Sequence, residues 1–377
     1  MSESGAGCSN HTAVIYDRGG ITRLFVLPDV ISVQWERVRD DISVADVVVN
    51  PTSAECNQLL ERLEPGRHEM VIFRGTKRVW EGPITLLVEE QGVQPVVSIQ
   101  ARDVMHYAYR LIMRRRYSNA YPNVTTTVQR AARIMIAELD RREAPNEDPP
   151  INVLPHLQVV LSDDMARTSR VTIPYEKTVY DDLDSLAAYS GLDYTVIGRR
   201  VVLFDRHTAL GRTPTVTQAD FLGDVRISVY GMELATYAAV TGGNGMYGST
   251  GGRDPYYGLW EILDSAYDED EDESAPTQAE LNSQAQRNLS GRVPTPVQIR
   301  VPENAQINPH GVLTMDNLVP GVQVPVRAKL AIRQVDQYQK LSRVRVTDDA
   351  SGEKIQITLV PSTGNPVVDE AGSGGEA

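Results

Sequence analysis

Apolar and polar residues alternate along the first hundred positions, the signature of strands with one buried face. Strands are predicted at 12–16, 21–27, 30–37, 42–49, 69–73, 78–89 and 93–101. Gly19-Gly20 stands at hairpin spacing between the first two. Pro51-Thr52-Ser53 opens a short helix that turns Cys56, Leu59, Leu60 and Leu63 inward, and Pro65-Gly66 ends it. Short strands joined by tight turns, with one helix, favour a small barrel or sandwich.

The period then shifts toward 3.6. A helix is predicted over 103–113, with Val104, Ala108, Leu111 and Ile112 on one stripe. It ends in Arg114-Arg115-Arg116, where cations complement the helix dipole. Residues 118–206 read as a small α+β unit. Its helices are expected at 124–139 and 179–190, the second stopping at Gly191, and a proline-rich loop at 143–150. A hairpin of 194–197 and 200–204 turns at Gly198-Arg199.

Strand patterning returns at 225–230, 235–240 and 256–262, around the Gly-rich loop Gly242–Gly252. An acidic block, Asp268–Glu273, precedes the capping box Thr277-Gln278-Ala279-Glu280, which opens a helix through Leu281, Ala285 and Leu289 to Gly291. The last hundred positions predict strands at 296–301, 322–336, 341–347 and 355–360, the final two as a hairpin. The fold class is therefore α+β, mainly β. Residues 1–11 are expected to be flexible and 362–377 disordered. Domains are expected at 12–117, 118–206 and 207–361, two β-rich lobes flanking an insert.

Composition narrows the function classes. Hydrophobic residues are 41% and charged residues 23% of 377, a globular balance that excludes a coiled coil. The net charge of −13 disfavours binding nucleic acid through the whole surface. Only Lys77, Lys177, Lys329, Lys340 and Lys354 are lysines among 37 cations, so the chain is arginine-heavy. Two cysteines, Cys8 and Cys56, allow neither a disulfide framework nor a zinc cluster. No apolar run reaches the ~18 residues of a membrane span, and the N-terminus has no export-signal pattern.

Catalytic patterns are scarce. His11, His68, His106, His156, His207 and His310 stand singly, and Ser249 follows Gly248 but has Tyr247 two residues before it, where a nucleophile elbow needs glycine. The pairs Asp163-Asp164, Asp181-Asp182 and Asp348-Asp349 could serve acid–base chemistry. The second falls in a predicted helix's first turn and the third in a hairpin turn, where carboxylates have structural uses. The Gly-rich loop lacks the lysine and following helix of a phosphate cradle. Asp268, Asp270 and Asp272 have calcium-loop spacing, but Glu273 stands where glycine is needed and Ala279 where glutamate is needed. Trp35, Trp80 and Trp260 read as core or interface anchors. No catalytic, metal-ligating or cofactor-binding residue is nominated, and no cofactor is expected.

The order of several stretches resembles a known family. WERVRDDISVADVVV at Trp35–Val49 is followed by VWEGPI at Val79–Ile84 and by Ala101-Arg102-Asp103 leading into a helix. LVPGVQVPV at Leu318–Val326 then precedes a closing hairpin of LSRVRV and GEKIQITL. This order resembles minor tail proteins of long-tailed actinobacterial phages, those built as a baseplate or tail-tip hub.

The resemblance implies a non-enzymatic structural protein with two tube-forming β-barrel domains, an inserted α+β domain and peripheral helices. It implies a homotrimer whose six barrels form a pseudo-sixfold ring, joining a sixfold tail tube and distal tail protein to a threefold central fibre or spike. Tape-measure protein and then DNA would pass through the ring, for which an acidic lumen would suit. It further implies assembly in the host cytoplasm and a place at the virion's tail tip, with no membrane segment. A hexameric distal tail ring is the competing structural reading. A tail-associated wall hydrolase or glycan-binding protein is the competing reading from another class.

Overall fold

The computed structural model describes residues 10–51, 53–90, 95–117, 126–140, 143–144, 151–152, 158–161, 171–189, 191–206, 208–229, 231–242, 245–265, 278–290, 292–293, 297–302, 305–329 and 334–361. The chain is mainly β with few helices. Its first lobe runs β1 (His11–Tyr16), β2 (Arg23–Val26), β3 (Val30–Val38), β4 (Val44–Val49), α1 (Ala54–Leu60), β5 (Glu69–Arg74), β6 (Lys77–Glu90), β7 (Val96–Arg102) and α2 (Met105–Tyr109). The insert runs α3 (Thr127–Asp140), β8 (Glu143–Ala144), β9 (Ile151–Asn152), β10 (Gln158–Leu161), α4 (Val179–Tyr189), β11 (Leu192–Ile197) and β12 (Arg200–Asp205).

The second lobe opens with β13 (Val216–Thr217), β14 (Phe221–Leu222) and β15 (Arg226–Val229). A peripheral module of β16 (Tyr237–Thr241), β17 (Tyr247–Gly251), β18 (Glu261–Ser265) and α5 (Gln278–Leu289) follows. The lobe resumes with β19 (Val297–Arg300), β20 (Ala305–Ile307), β21 (Gln323–Lys329), β22 (Gln334–Asp349) and β23 (Gly352–Pro361).

Both lobes share one 13-stranded sheet in the order β14-β20-β23-β22-β3-β4-β7-β6-β5-β1-β2, with β21 beside β22 and β13 beside β21. The lobes meet where β22 pairs antiparallel with β3, from Arg343 opposite Val38 to Asp348 opposite Val33. Alternation sets the faces. Val33 and Trp35 of β3, Ala45, Val47 and Val49 of β4, and Val344 and Val346 of β22 point into one core. Each large side chain so buried contributes about 1.5–3 kcal/mol. The sheet has two open ends, so neither lobe closes into a barrel within the described residues.

The two lobes repeat one design. In each, a long strand pairs by its first half with the strand before it and by its second half with the strand after it: β5-β6-β7 and β21-β22-β23. The register slips between Ile84 and Leu86 in the first lobe and between Leu341 and Arg343 in the second. Ile84 accepts from Gly66 N (2.7 Å) and donates to His68 O (3.0 Å); Leu341 accepts from Gly321 N (2.8 Å) and donates to Val322 O (3.0 Å). Each glycine follows a proline and has positive φ, 84° at Gly66 and 96° at Gly321. Leu63 and Leu318, three residues before each glycine, are both buried. Beyond the meander, β4 then β3 continue the first lobe as β20 then β14 continue the second.

Several predicted elements differ. The helix expected over 103–113 spans only Met105–Tyr109, because the following backbone pairs instead with 172–179: Ile112 bridges Thr178 and Tyr117 bridges Thr172. Arg114-Arg115-Arg116 is therefore exposed on an extended segment and caps no helix. The single strand expected over 322–336 is two strands, β21 and the start of β22. Tyr256 and Tyr257 sit in a turn, and β18 begins at Glu261.

The Gly-rich loop is half strand, since β17 pairs with β16 across Thr241 and Tyr247. Its glycines serve packing. A Cβ on Gly248 would lie 2.3 Å from the Leu281 carbonyl carbon, so α5 can seat on the strand only over glycine. Residues 143–144 pair with 151–152 inside the expected loop. The acidic block, Thr277, Asp163-Asp164, 1–9 and 362–377 lie outside the described residues.

Candidate functional site: the interlobe joint and two charged locks

No constellation among the described residues assembles catalytic chemistry, and no group of three metal-ligating side chains is found there. Asp181 is helical dressing: Thr178 N donates to its carboxylate (3.0 Å) and its own N–H is capped by Thr178 Oγ1 (3.1 Å). Asp182 is buried and accepts from Thr172 Oγ1 (2.8 Å). Asp349 caps the β22–β23 turn through Ser351 N (2.7 Å). Ser249 lies on β17 and donates its backbone N–H to Asn282 Oδ1 (3.3 Å).

Polar side chains concentrate instead where the parts of the chain meet. At the sheet joint, Glu36 of β3 faces Arg345 (3.2 Å) and Arg343 (3.8 Å) of β22. On the core side, Trp35 Nε1 donates to His11 Nε2 (3.2 Å). That bond leaves the His11 proton on Nδ1, which faces Asp348 Oδ2 at 2.9 Å. Glu353 beside them takes a two-pronged bond from Arg74 (2.6 and 2.7 Å). The sequence pattern shows His11 isolated and Asp348 in a turn; the fold brings Asp348 onto His11, which in turn meets Trp35.

The insert is fastened twice. Its β11–β12 hairpin carries Arg199 at the tip, in a hollow of the first lobe. Arg199 Nη1 donates to Glu69 Oε2 at 2.5 Å and lies 3.8 Å from Glu81 Oε2. Tyr107 Oη donates to Glu69 Oε1 (2.5 Å), Gly19 N to the same oxygen (2.9 Å), and Arg78 reaches Glu81 (2.9 Å). Glycines make the room. A Cβ on Gly20 would lie 3.0 Å from Arg199 Nη1, and one on Gly198, 2.9 Å from Glu81 Oε1. Burial pushes Glu81 upward against the pull of Arg78 and Arg199. Burial opposes the Arg199 charge, but Glu69 and Glu81 more than offset it and raise its pKa.

The second lock inverts the signs. Asp193 of β11 is fully buried and is held by Lys340 of β22 (2.7 Å), Arg39 of the β3–β4 turn (3.2 Å) and Arg206 (3.2 Å). Three segments of the chain thus converge on one carboxylate. Beside it Asp40, in the left-handed region at φ 60°, donates its N–H to Tyr194 O (2.9 Å) and accepts from Tyr194 N (2.7 Å). Burial and the neighbouring Asp193 push Asp40 up to about 7. Burial also lowers Lys340, against the attraction of Asp193. Asp103, buried under the turn and accepting from Ser43 N (2.7 Å) and Met105 N (2.9 Å), is raised to about 6 by burial.

No protein-family model matches the sequence, and no curated protein matches it either. Solved structures do match. The 43 kDa tail protein of prophage MuSo2 from Shewanella oneidensis has a TM-score of 0.58 at 14% identity, covering 95% of this chain and all (100%) of that one. The tail protein from Neisseria meningitidis MC58 has a TM-score of 0.57 at 13% identity, covering 93% of this chain and 96% of that one. An E. coli type VI secretion component, described as similar to T4 bacteriophage tail proteins gp27 and gp5, gives 0.50 at 11%, covering 94% and 78%. The chain therefore has the fold of phage tail proteins, and these matches do not single out the phages of actinobacteria.

Proposed function

We propose that the chain is a structural tail-tip hub, a homotrimer in which each copy supplies two ring segments and three copies imitate a hexagon. The observation that carries this reading is the internal repeat: β5-β6-β7 and β21-β22-β23 share strand order, bend, bulge position and the leucine-x-proline-glycine entry. A sixfold tube on one side then meets a pseudo-sixfold ring, and a threefold fibre or spike meets the same ring from the other. The distal tail protein, tape-measure protein and fibre are the partners. No enzyme chemistry belongs to this role.

The sheet face opposite the core is the proposed channel wall. Read across the registers it carries Gln34, Gln100, Gln356, Ser98 and Thr347. Among them Arg343, Arg345, Arg102 and Lys354 are offset by Glu36, Asp46 and Glu90. The signs nearly balance, so a passing polyanion would find neither strong attraction nor strong repulsion. Native mass spectrometry of the purified chain should give three copies. Six would favour the distal-ring reading, and one copy with wall-degrading activity would overturn the hub altogether.

A further inference from the structure

The repeat specifies the contact that closes the ring. In the second lobe, the second half of β22 has β23 on one side and β3 on the other. In the first lobe, the matching half of β6 has β7 on one side and, among the described residues, no strand on the other. The occupant of that edge can be found by the same walk through each lobe. From β6 through β7 and β4 the sheet reaches β3; from β22 through β23 and β20 it reaches β14, whose far edge is also unpaired among the described residues.

We infer that residues 224–228 of a second copy of this chain, which lead from β14 into β15, pair antiparallel with the 86–90 edge of β6, as β3 pairs with β22 inside one copy. The inference rests on the hub reading and gives it a named interface. The 86–90 edge exposes an apolar side chain, Leu86 at 46%. An unpaired edge with exposed leucine is an aggregation hazard unless a defined partner covers it. Here the contact is heterologous, β6 of one copy to the 224–228 stretch of the next, and heterologous contacts close into rings when the rotation allows.

The registers fix the pairing. In the first lobe Val88, Ser98, Val48 and Ser32 form one row across β6, β7, β4 and β3. In the second lobe Arg345, Gln356, Gln306 and Leu222 form the matching row across β22, β23, β20 and β14. Leu222 thus stands where Ser32 does, and counting on along the chain, Arg226 at the start of β15 corresponds to Glu36. Glu36 is the residue opposite Arg345 in the internal joint. Val88 of one copy therefore faces Arg226 of the next. Across the same seam Glu90 meets Asp224 directly and Arg226 on the diagonal, so one charge contact opposes closure and one favours it.

The test uses the full chain with Cys8→Ser, carrying Val88→Cys and Arg226→Cys together; Cys56 is buried. A short bifunctional thiol reagent should give species of two and three chains on a denaturing gel, none larger, and neither single cysteine variant should link. Two charge variants sharpen it. Asp224→Asn should tighten the trimer, and Arg226→Glu should weaken it by roughly tenfold. A preparation that weighs three chains but does not link overturns this interface and leaves the trimer standing. Links within one chain, or a ladder beyond three, overturn the interface as well. A chain that weighs one copy at its highest soluble concentration and does not link overturns both readings.

Discussion

The two locks that hold the insert solve the same problem with opposite signs. Around Arg199 a cation sits among carboxylates; around Asp193 a carboxylate sits among cations. Both are buried, so each owes its stability to pairing rather than to solvent. They differ in what happens when the central charge is lost. Carboxylates left facing each other can take up a proton, and burial has already raised Glu81 in that direction. Around Asp193, Arg39 and Arg206 cannot release one, because guanidinium stays charged across the accessible range, and only Lys340, lowered by burial, has a proton to give up. The first lock can fail softly. The second has less room to, since two of its three cations keep their charge.

The largest effect is expected at Asp193. Asp193→Ala strands Lys340, Arg39 and Arg206 around an apolar gap and should cost about 3–5 kcal/mol in urea unfolding. The loss should persist from pH 5 to pH 8. Pairing it with Lys340→Met should recover part of the loss, because one stranded cation is then gone. A double variant no more stable than the single one would mean that Lys340 is not held in place by Asp193.

Arg199→Met should cost less, about 2–3 kcal/mol near pH 8, and the cost should shrink toward pH 5 as Glu81, already raised by burial, takes up a proton. Equal losses for the two locks at both pH values would erase the distinction drawn here. The parent chain carries a related dependence at Asp40. Its folded pKa of about 7 lies above the ordinary carboxyl value, so the native state holds a proton that the unfolded chain has given up. Stability should therefore fall as pH rises between about 4 and 7 and level off above, with Asp103 adding to the slope up to about 6. Asp40→Asn should flatten the upper part of that profile, read as urea midpoint against pH.

The strands of this architecture are visible in the sequence, while the contacts between its parts are not. Alternation places β3, β4 and β7 because each has one wet and one dry face. The hairpin around Gly198-Arg199 is equally plain, since the turn chemistry is local. Nothing local says that Arg199 enters a hollow lined by Gly20, or that Lys340 meets Asp193 far along the chain. The sheet joint is hidden for the same reason, because alternation sets a strand's faces but not its neighbour. One signal was available. Leu63-Glu64-Pro65-Gly66 and Leu318-Val319-Pro320-Gly321 are the same entry to a bent strand, and comparing them would have exposed the repeat. The Gly-rich stretch misleads because Gly248 is there for helix packing, a reason that only the position of α5 reveals.

The smallest effect is expected at the hairpin tip. Gly198 has φ of 59°, where a side chain is strained, and its missing Cβ leaves space for the Glu81 carboxylate. Gly198→Ala should therefore cost about 1–2 kcal/mol, part from the backbone and part from displacing Glu81. The two parts can be separated. Gly66 has φ of 84° and nothing within 4 Å of its would-be Cβ, so Gly66→Ala reports backbone strain alone. If the first lock is as tight as its distances indicate, Gly198→Ala should exceed Gly66→Ala, and the excess should vanish in a background carrying Arg78→Met and Arg199→Met together, where Glu81 has lost both cations and is free to move aside. An excess that survives there would place the strain in the hairpin itself, not in the hollow that receives it.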